Sequence, residues 1–486
     1  MAKRKNKKKV RIFSRVLSFL ALIVLVLFLL YLYKVNILPM KYFIAGAGVL
    51  GFLELIYLSF ALNKRIKIGF LIFMDIIAII AIAAECFAGY KIYQTYKFID
   101  DDMKVEETKD VYYIVVNSES KFSELKSIEN KIVYYYDDTE GEIDKLKQCV
   151  TNKVSVIFNE VENYDELLSD LSKNKEKIIL INEGSYSSYI EENVDIQDKY
   201  KTLGEVELVK EVEVSSSDED ITTKPFTFYI SGIDTRTKSM PSRSLSDVNM
   251  FIVVNPTTRK ILMVGVPRDY YVQLHGKKGL KDKLTHAGIV GGLKLSKSTV
   301  EDIMDTKADY YARVNFQAVI KLVDAVGGIT IYNDQKRSFR CWTDSGCVFK
   351  PGNNKVGGRC ALAFARERHA YTTGDRHRGE NQQQVIRLIV EKLTSSKSLV
   401  ANYDKILKAL NGSFETNLST ANITSLVQFQ LNDMRGWNFI TSNLDGTSGN
   451  APTYSYPKSS LSVMYPNQKT IDTAKAKIKE IMSEGY

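Results

Sequence analysis

The sequence predicts an α/β protein with three N-terminal transmembrane helices, a small α/β accessory domain and a larger α/β domain behind it. Three observations support this. The first ninety residues hold three long apolar runs, and the rest of the chain does not. Beyond them, short β-branched or aromatic runs alternate with stretches of helical spacing. Basic residues crowd the N-terminal end, although hydrophobic residues make up an ordinary 45% of the 486.

Val16–Tyr33, Ile37–Leu62 and Ile68–Tyr90 are each long enough to cross a bilayer. A cleaved signal is ruled out for the first, because no small-residue cleavage site follows it and two further spans do. The tail, residues 1–15, carries Lys3, Arg4, Lys5, Lys7, Lys8, Lys9, Arg11 and Arg15 without an acid, and Lys64, Arg65 and Lys67 follow the second span. The positive-inside rule puts both in the cytoplasm and everything after Tyr90 outside the cell. These cations exceed the net charge of +9, so the remainder is slightly acidic. Basicity is therefore a topology signal, and nucleic acid is not the expected partner. Glu54 and Asp75 flank the turn at Asn63–Lys67 at matching depth, about 12–13 Å from it at 1.5 Å per residue. Buried carboxylates in a membrane need partners. Either they pack within the bundle, or they dock a membrane partner.

After a charged linker (91–110), the runs Val111–Val116, Lys131–Tyr136, Val154–Phe158 and Lys177–Ile181 read as strands of an accessory domain over 111–213. A polar, acidic linker (214–224) leads to the larger domain, 225–486. There, Phe226–Ile230 reads as a strand, and Met250–Val254 with Ile261–Val266 as a hairpin turning at Asn255-Pro256. Phe316–Val326 has helical periodicity, with Asn315 as N-cap, Gly327-Gly328 as stop and the strand Ile329–Tyr332 beyond. Helices are expected over Cys360–Ala365 and from about Arg378 to Ser395. Cys341 and Cys347 could close a small loop in an oxidising compartment, or remain free. No Cys/His spacing reads as a zinc site.

The chemistry concentrates in Phe364–His369 and Gly374–Gln382, where Arg366, Arg368, Arg376 and Arg378 surround Asp375 and Gln382. Planar guanidinium forks suit phosphate oxygens. Taken alone, such a cluster is also compatible with a solvated helix. Arg366 and Arg368 share a side only if the helix stops near Arg366, whereas Arg378 and Gln382 share a helical face. Asp234 and Asp247 end apolar strands and offer hard oxygen donors of the kind Mg²⁺ takes. Arg268 leaves a strand through Pro267; alone it reads as an exposed loop residue paired with Asp269. His369 and His377 lack a serine or cysteine nucleophile and read as bystanders.

These residues resemble the LytR-CpsA-Psr family over about Phe226 to Ile481. The resemblance is carried by Gly232-Ile-Asp-Thr-Arg236, Ser246-Asp247, Val266-Pro-Arg-Asp269, Lys283-Leu-Thr-His-Ala287 with Gly291-Gly292, Val314-Asn-Phe316, Gly327-Gly-Ile329 and the arginine cluster. The three spans and inserted domain are similar to the streptococcal capsule members of that family. The resemblance implies a transferase that moves a glycopolymer, here capsular polysaccharide, from an undecaprenyl-pyrophosphate carrier to peptidoglycan in a Gram-positive cell wall. It assigns Mg²⁺ to Asp234 and Asp247, and the pyrophosphate to Arg268, Arg366, Arg368, Arg378, Gln382 and, more weakly, Lys283. Catalysis falls to Arg268, Arg366, Arg368 and Asp375. Asn381 stands where many members have arginine, removing one phosphate contact, and Gly288 stands where many have tyrosine, opening that wall. The competing readings are a membrane scaffold binding carrier lipid or other capsule-assembly proteins, and a regulator touching DNA through its basic tail.

Overall fold

The computed structural model describes residues 2–36, 38–97, 107–139, 141–192, 198–211, 221–233, 240–372, 374–394, 406, 409 and 412–485. The chain forms two compact units, one of Met1–Asp102, Asp218–Thr222 and Ser419–Arg435, and one of the remainder.

The first unit contains three helices long and apolar enough to span a membrane: α1 (Ala2–Val35), α2 (Met40–Leu62) and α3 (Ile68–Lys97). The expected linker from residue 91 begins later, because α3 runs to Lys97 without a breaker. Asp75 is satisfied inside the bundle. Ser14 Oγ donates to its Oδ2 (2.8 Å) and Tyr57 OH to its Oδ1 (2.7 Å). This favours the internal role for Asp75 over docking of a partner, since both oxygens already have donors.

In the second unit, residues 107–211 build a five-stranded sheet in the order β3-β2-β4-β1-β5. Its strands are β1 (Glu107–Asn117), β2 (Ile132–Tyr135), β3 (Ile157–Glu160), β4 (Ile178–Asn182) and β5 (Tyr200–Glu211), with helices α4 (Ile143–Thr151), α5 (Tyr164–Leu168) and α6 (Glu183–Glu192). Side chains alternate across a strand. Tyr112, Ile114 and Val116 of β1 therefore join Ile178 and Leu180 in one core, while Val115 joins Ile179 and Ile181 in the other.

The larger sheet is six-stranded and mixed. Its strands are β6 (Phe226–Ile233), β7 (Ser246–Asn255), β8 (Lys260–Val266), β9 (Tyr310–Asn315), β12 (Phe414–Thr416) and β13 (Asn438–Asn443), in the order β12-β9-β6-β7-β8-β13. The 7–8 hairpin turns at Asn255-Pro256 as the sequence indicates. Helix α7 (Leu284–Met304) covers one face, and Asn315 caps α8 (Phe316–Ala325) by accepting from Ala318 N at 2.9 Å. Strands β10 (Ile329–Asn333) and β11 (Gly352–Val356) pair beside α9 (Gly358–Arg366), followed by α10 (Asp375–Leu393). Helix α11 (Thr420–Asp433) belongs to the first unit, where Gln428 Nε2 donates to Asn36 Oδ1 (3.0 Å). The hairpin β14 (Gly446–Pro452) and β15 (Ser460–Pro466) precedes α12 (Gln468–Ser483).

The two faces of this sheet differ. Tyr229, Phe251, Val253, Leu262 and Val264 are sealed beneath α7 and α12. The opposite face carries Met250, Ile252 and Met263 with Phe228, Phe316, Trp437 and Phe439 only half-buried. One open alternative is settled here and one expectation is corrected. The disulfide joins Cys347 to Cys360, and Cys341 is a buried free thiol that burial pushes up to about 12, so it stays protonated. Gly288 does not open a wall, because a Cβ there would stand 2.2 Å from the Ser244 carbonyl.

Two outcomes are expected. Peptide mapping without reduction yields a Cys347–Cys360 linked pair; a Cys341–Cys347 pair would refute the arrangement. Gly288→Ala, whose new methyl meets backbone rather than a yielding side chain, costs about 1–3 kcal/mol of stability, read as a lowered melting temperature of the full chain.

Candidate active site

Strand register builds the first part of the site. Asn249 pairs with Val266 across β7 and β8. Two residues further out along each strand lie Asp247 and Arg268, so the two meet at one end of the sheet. Arg268 Nη1 donates to Asp247 Oδ1 at 2.7 Å, and its Nε lies 3.8 Å from Asp269 Oδ2. The exposed-loop reading of Arg268 fails, since its side chain is only 11% exposed and its main partner is Asp247.

The second part comes from the break between α9 and α10. Helix α9 ends at Arg366, and Glu367 is extended (φ −72°, ψ 129°). This is the stop that lets Arg366 and Arg368 share a side. Glu367 itself is buried, accepting from Ala370 N (2.9 Å) and Trp342 N (2.5 Å), so it ties the 341–347 loop to this turn. Sequence reasoning missed Glu367; its alternation with two arginines was the available signal.

Three of four successive amides fix α10. Asn381 Nδ2 donates to Phe364 O (3.1 Å) and Tyr371 OH (3.3 Å). Gln383 Nε2 donates to Ser442 O (3.0 Å), and Gln384 bonds the Tyr332 backbone. Gln382 is left facing the cleft with Arg378, one turn earlier. Asn381 is thus an anchor between helices.

Asp247, Arg268, Arg366, Arg368, Arg378 and Gln382 all line one cleft of about 580 Å³. Lys283 does not line it. It is buried, 3.6 Å from Asp269 Oδ1, behind the Arg268 turn. Arg376 does not line this cleft; it pairs with Asp445 at 2.5 Å and borders a small adjoining pocket with Arg268, Arg378 and Gln382. His377 stacks on Tyr371 (3.6 Å between centroids) and lies 3.2 Å from Glu380 Oε2, while His369 lies against Trp342 (4.6 Å) and, unlike His377, lines the cleft. Asp375 opens α10, and its side chain lies outside the described atoms; Asp234 lies outside the described residues. Among the described residues no three His, Cys, Asp or Glu side chains cluster as a metal site. Asp247 does offer a carboxylate in the cleft, a donor that fits Mg²⁺.

Phe316 sits where the cleft meets the half-buried apolar face of the large sheet, with the Arg366 guanidinium 5.0 Å from its ring centroid. Cationic and apolar surfaces are therefore contiguous.

The chain is similar to several known proteins. Biofilm regulatory protein A of Streptococcus mutans serotype c is 33% identical over 217 residues, 41% of this chain and 52% of that protein. Polyisoprenyl-teichoic acid–peptidoglycan teichoic acid transferase TagU of Enterococcus faecalis is 34% identical over 219 residues, 45% of this chain and 69% of that one. The chain thus spans between about half and two thirds of these relatives. The crystal structure of B. subtilis TagV aligns with 54% of this chain and 98% of its own, at 24% identity and a TM-score of 0.45. The LytR_cpsA_psr family model matches residues 185–470, a segment holding every described residue of the cleft's cationic half. With more than half of its length matched, the chain belongs to the LytR-CpsA-Psr family.

Proposed function

We propose that the chain is a transferase that moves a glycopolymer from a polyprenyl-pyrophosphate carrier to peptidoglycan. The observation that carries this is the junction at Phe316, where an arginine-lined cleft adjoins a half-buried aromatic face. A polyprenyl pyrophosphate has that same two-part chemistry. Its lipid would lie along Phe228, Phe316 and Phe439, and its phosphates among Arg268, Arg366, Arg368 and Arg378.

Phosphoryl transfer from such a donor needs positioning and charge neutralisation more than a protein nucleophile. Guanidinium groups held by packing offer preorganised donors to the charge that grows in the transition state. A sugar hydroxyl of peptidoglycan attacks the phosphorus nearest the glycan. The bond to the bridging oxygen breaks and polyprenyl phosphate departs. The hydroxyl proton leaves to a carboxylate of the site, with Asp247 and Asp375 the candidates. Asp247, with Asp234, would hold Mg²⁺, which when bound adds a Lewis acid at the phosphate oxygens.

The donor glycan is read as capsular polysaccharide, on the three spans and the inserted domain; the relatives named TagU carry teichoic acid in their names. We also read the N-terminus as cytoplasmic and the cleft as extracellular, from the cations flanking the spans.

The full chain in lipid nanodiscs, given the glycan-bearing carrier, Mg²⁺ and peptidoglycan, is expected to release polyprenyl phosphate and label the wall. Arg268→Ala lowers kcat by about 100-fold or more, the scale of losing a preorganised donor. Arg268→Lys keeps the charge without the fork and falls between. Wild-type turnover by Arg268→Ala would overturn the role given to Arg268, whereas binding without turnover by the native chain would reduce the protein to a lipid-binding scaffold. Removing divalent cations with a chelator is expected to suppress transfer, and excess Mg²⁺ to restore it.

A further inference from the structure

The cationic residues form only part of the cleft wall. Another part comes from the inserted domain: Glu183, Tyr186, Ser187 and Ile190 of α6, and Tyr113 of β1. Trp342, also lining the cleft, is 74% exposed and backed by the His369 ring. An exposed indole held against a second ring presents a flat apolar face. Tyr186 makes an edge contact with Tyr113 (6.0 Å), whose hydroxyl donates to Glu183 Oε1 (3.0 Å). Aromatic faces with a hydrogen-bonded carboxylate and an exposed serine match a saccharide, whose ring presents C–H faces bordered by hydroxyls.

The wall is rigidly seated. A Cβ at Gly184 would lie 2.7 Å from Ile289 and 3.2 Å from Ser244 Cα, so α6 begins in contact with the larger domain. Ser188 Oγ lies 3.2 Å from His286 Nε2, and His286 Nδ1 lies 2.7 Å from Asp282. The buried carboxylate of Asp110 takes Ser242 as donor, and Arg243 stands within 3.7 Å of both Asp110 and Asp138.

We propose that α6 and Trp342 form a saccharide-binding wall of this cleft, so that the inserted domain contributes directly to the substrate site. It recognises sugar units adjoining the pyrophosphate, and so rests on the reading of the arginines given above. Those units belong either to the donor glycan or to the acceptor, and the two are separable.

The full chain in nanodiscs is titrated with three probes: polyprenyl pyrophosphate without glycan, the same carrier bearing its glycan, and a β-linked N-acetylhexosamine oligosaccharide of the acceptor type. Trp342→Ala, Tyr186→Ala and Ser187→Trp are compared with the native chain and with Arg268→Ala. Ser187 is exposed, so the tryptophan fills space without removing packing, and melting curves confirm folding. Loss of about tenfold in affinity for the glycan-bearing carrier alone, with the bare carrier unchanged, marks donor recognition. A loss of that size confined to the oligosaccharide marks acceptor recognition. Tyr186→Phe, which keeps the ring, stays close to native. Native affinity of all three variants for every probe overturns the proposal. If the bare carrier binds the native chain no better than Arg268→Ala, the pyrophosphate reading fails, while the oligosaccharide titration still tests the wall.

Discussion

Guanidinium groups facing one cleft repel one another, and holding them there is the constraint on which the rest of the site depends. Two unit charges 4 Å apart interact with about 4 kcal/mol at the effective dielectric of a protein surface. The structure offsets this with carboxylates placed by backbone geometry. Asp247 meets Arg268 because the hairpin register brings them level, and Asp269 stands 3.8 Å from the same guanidinium. Arg376 is drawn off to Asp445. An anionic ligand would complete the neutralisation.

The inserted domain is held by the same kind of economy. Asp110, Asp138 and Arg243 are all largely buried, and Tyr112 and Tyr164 donate to Asp138. Burial raises the Asp138 carboxyl, and Arg243 followed by the tyrosine hydroxyls pulls it back. Such a network is weak evidence for stability. Its value is directional, because a slipped interface would strand these groups without partners.

Much of this architecture was readable from residue patterns. Periodicity and capping located the spans, the 7–8 hairpin and α8, since each is set by contacts close in sequence. The requirement that α9 stop near Arg366 could be reasoned from the two-residue spacing alone. Long-range pairings were less accessible. Strand β5 was missed because Lys, Thr and Glu interrupt its apolar residues, which find their partners on β1 far back in the chain. Cys360 displaced Cys341 as the partner of Cys347 because α9 packs beside the loop, a closeness no spacing reveals. Lys283 carried the motif yet sits behind Asp269, and the family pattern gave no hint that α6 would line the cleft.

Residues 107–211 look like a removable module, with their own sheet and two cores. The contact at Gly184 makes that modularity deceptive. Cutting the segment out would strip a wall from the cleft and strand Arg243 and His286 in water or without their acids and hydroxyls. Excision would therefore rebuild the cleft itself rather than remove an appendage.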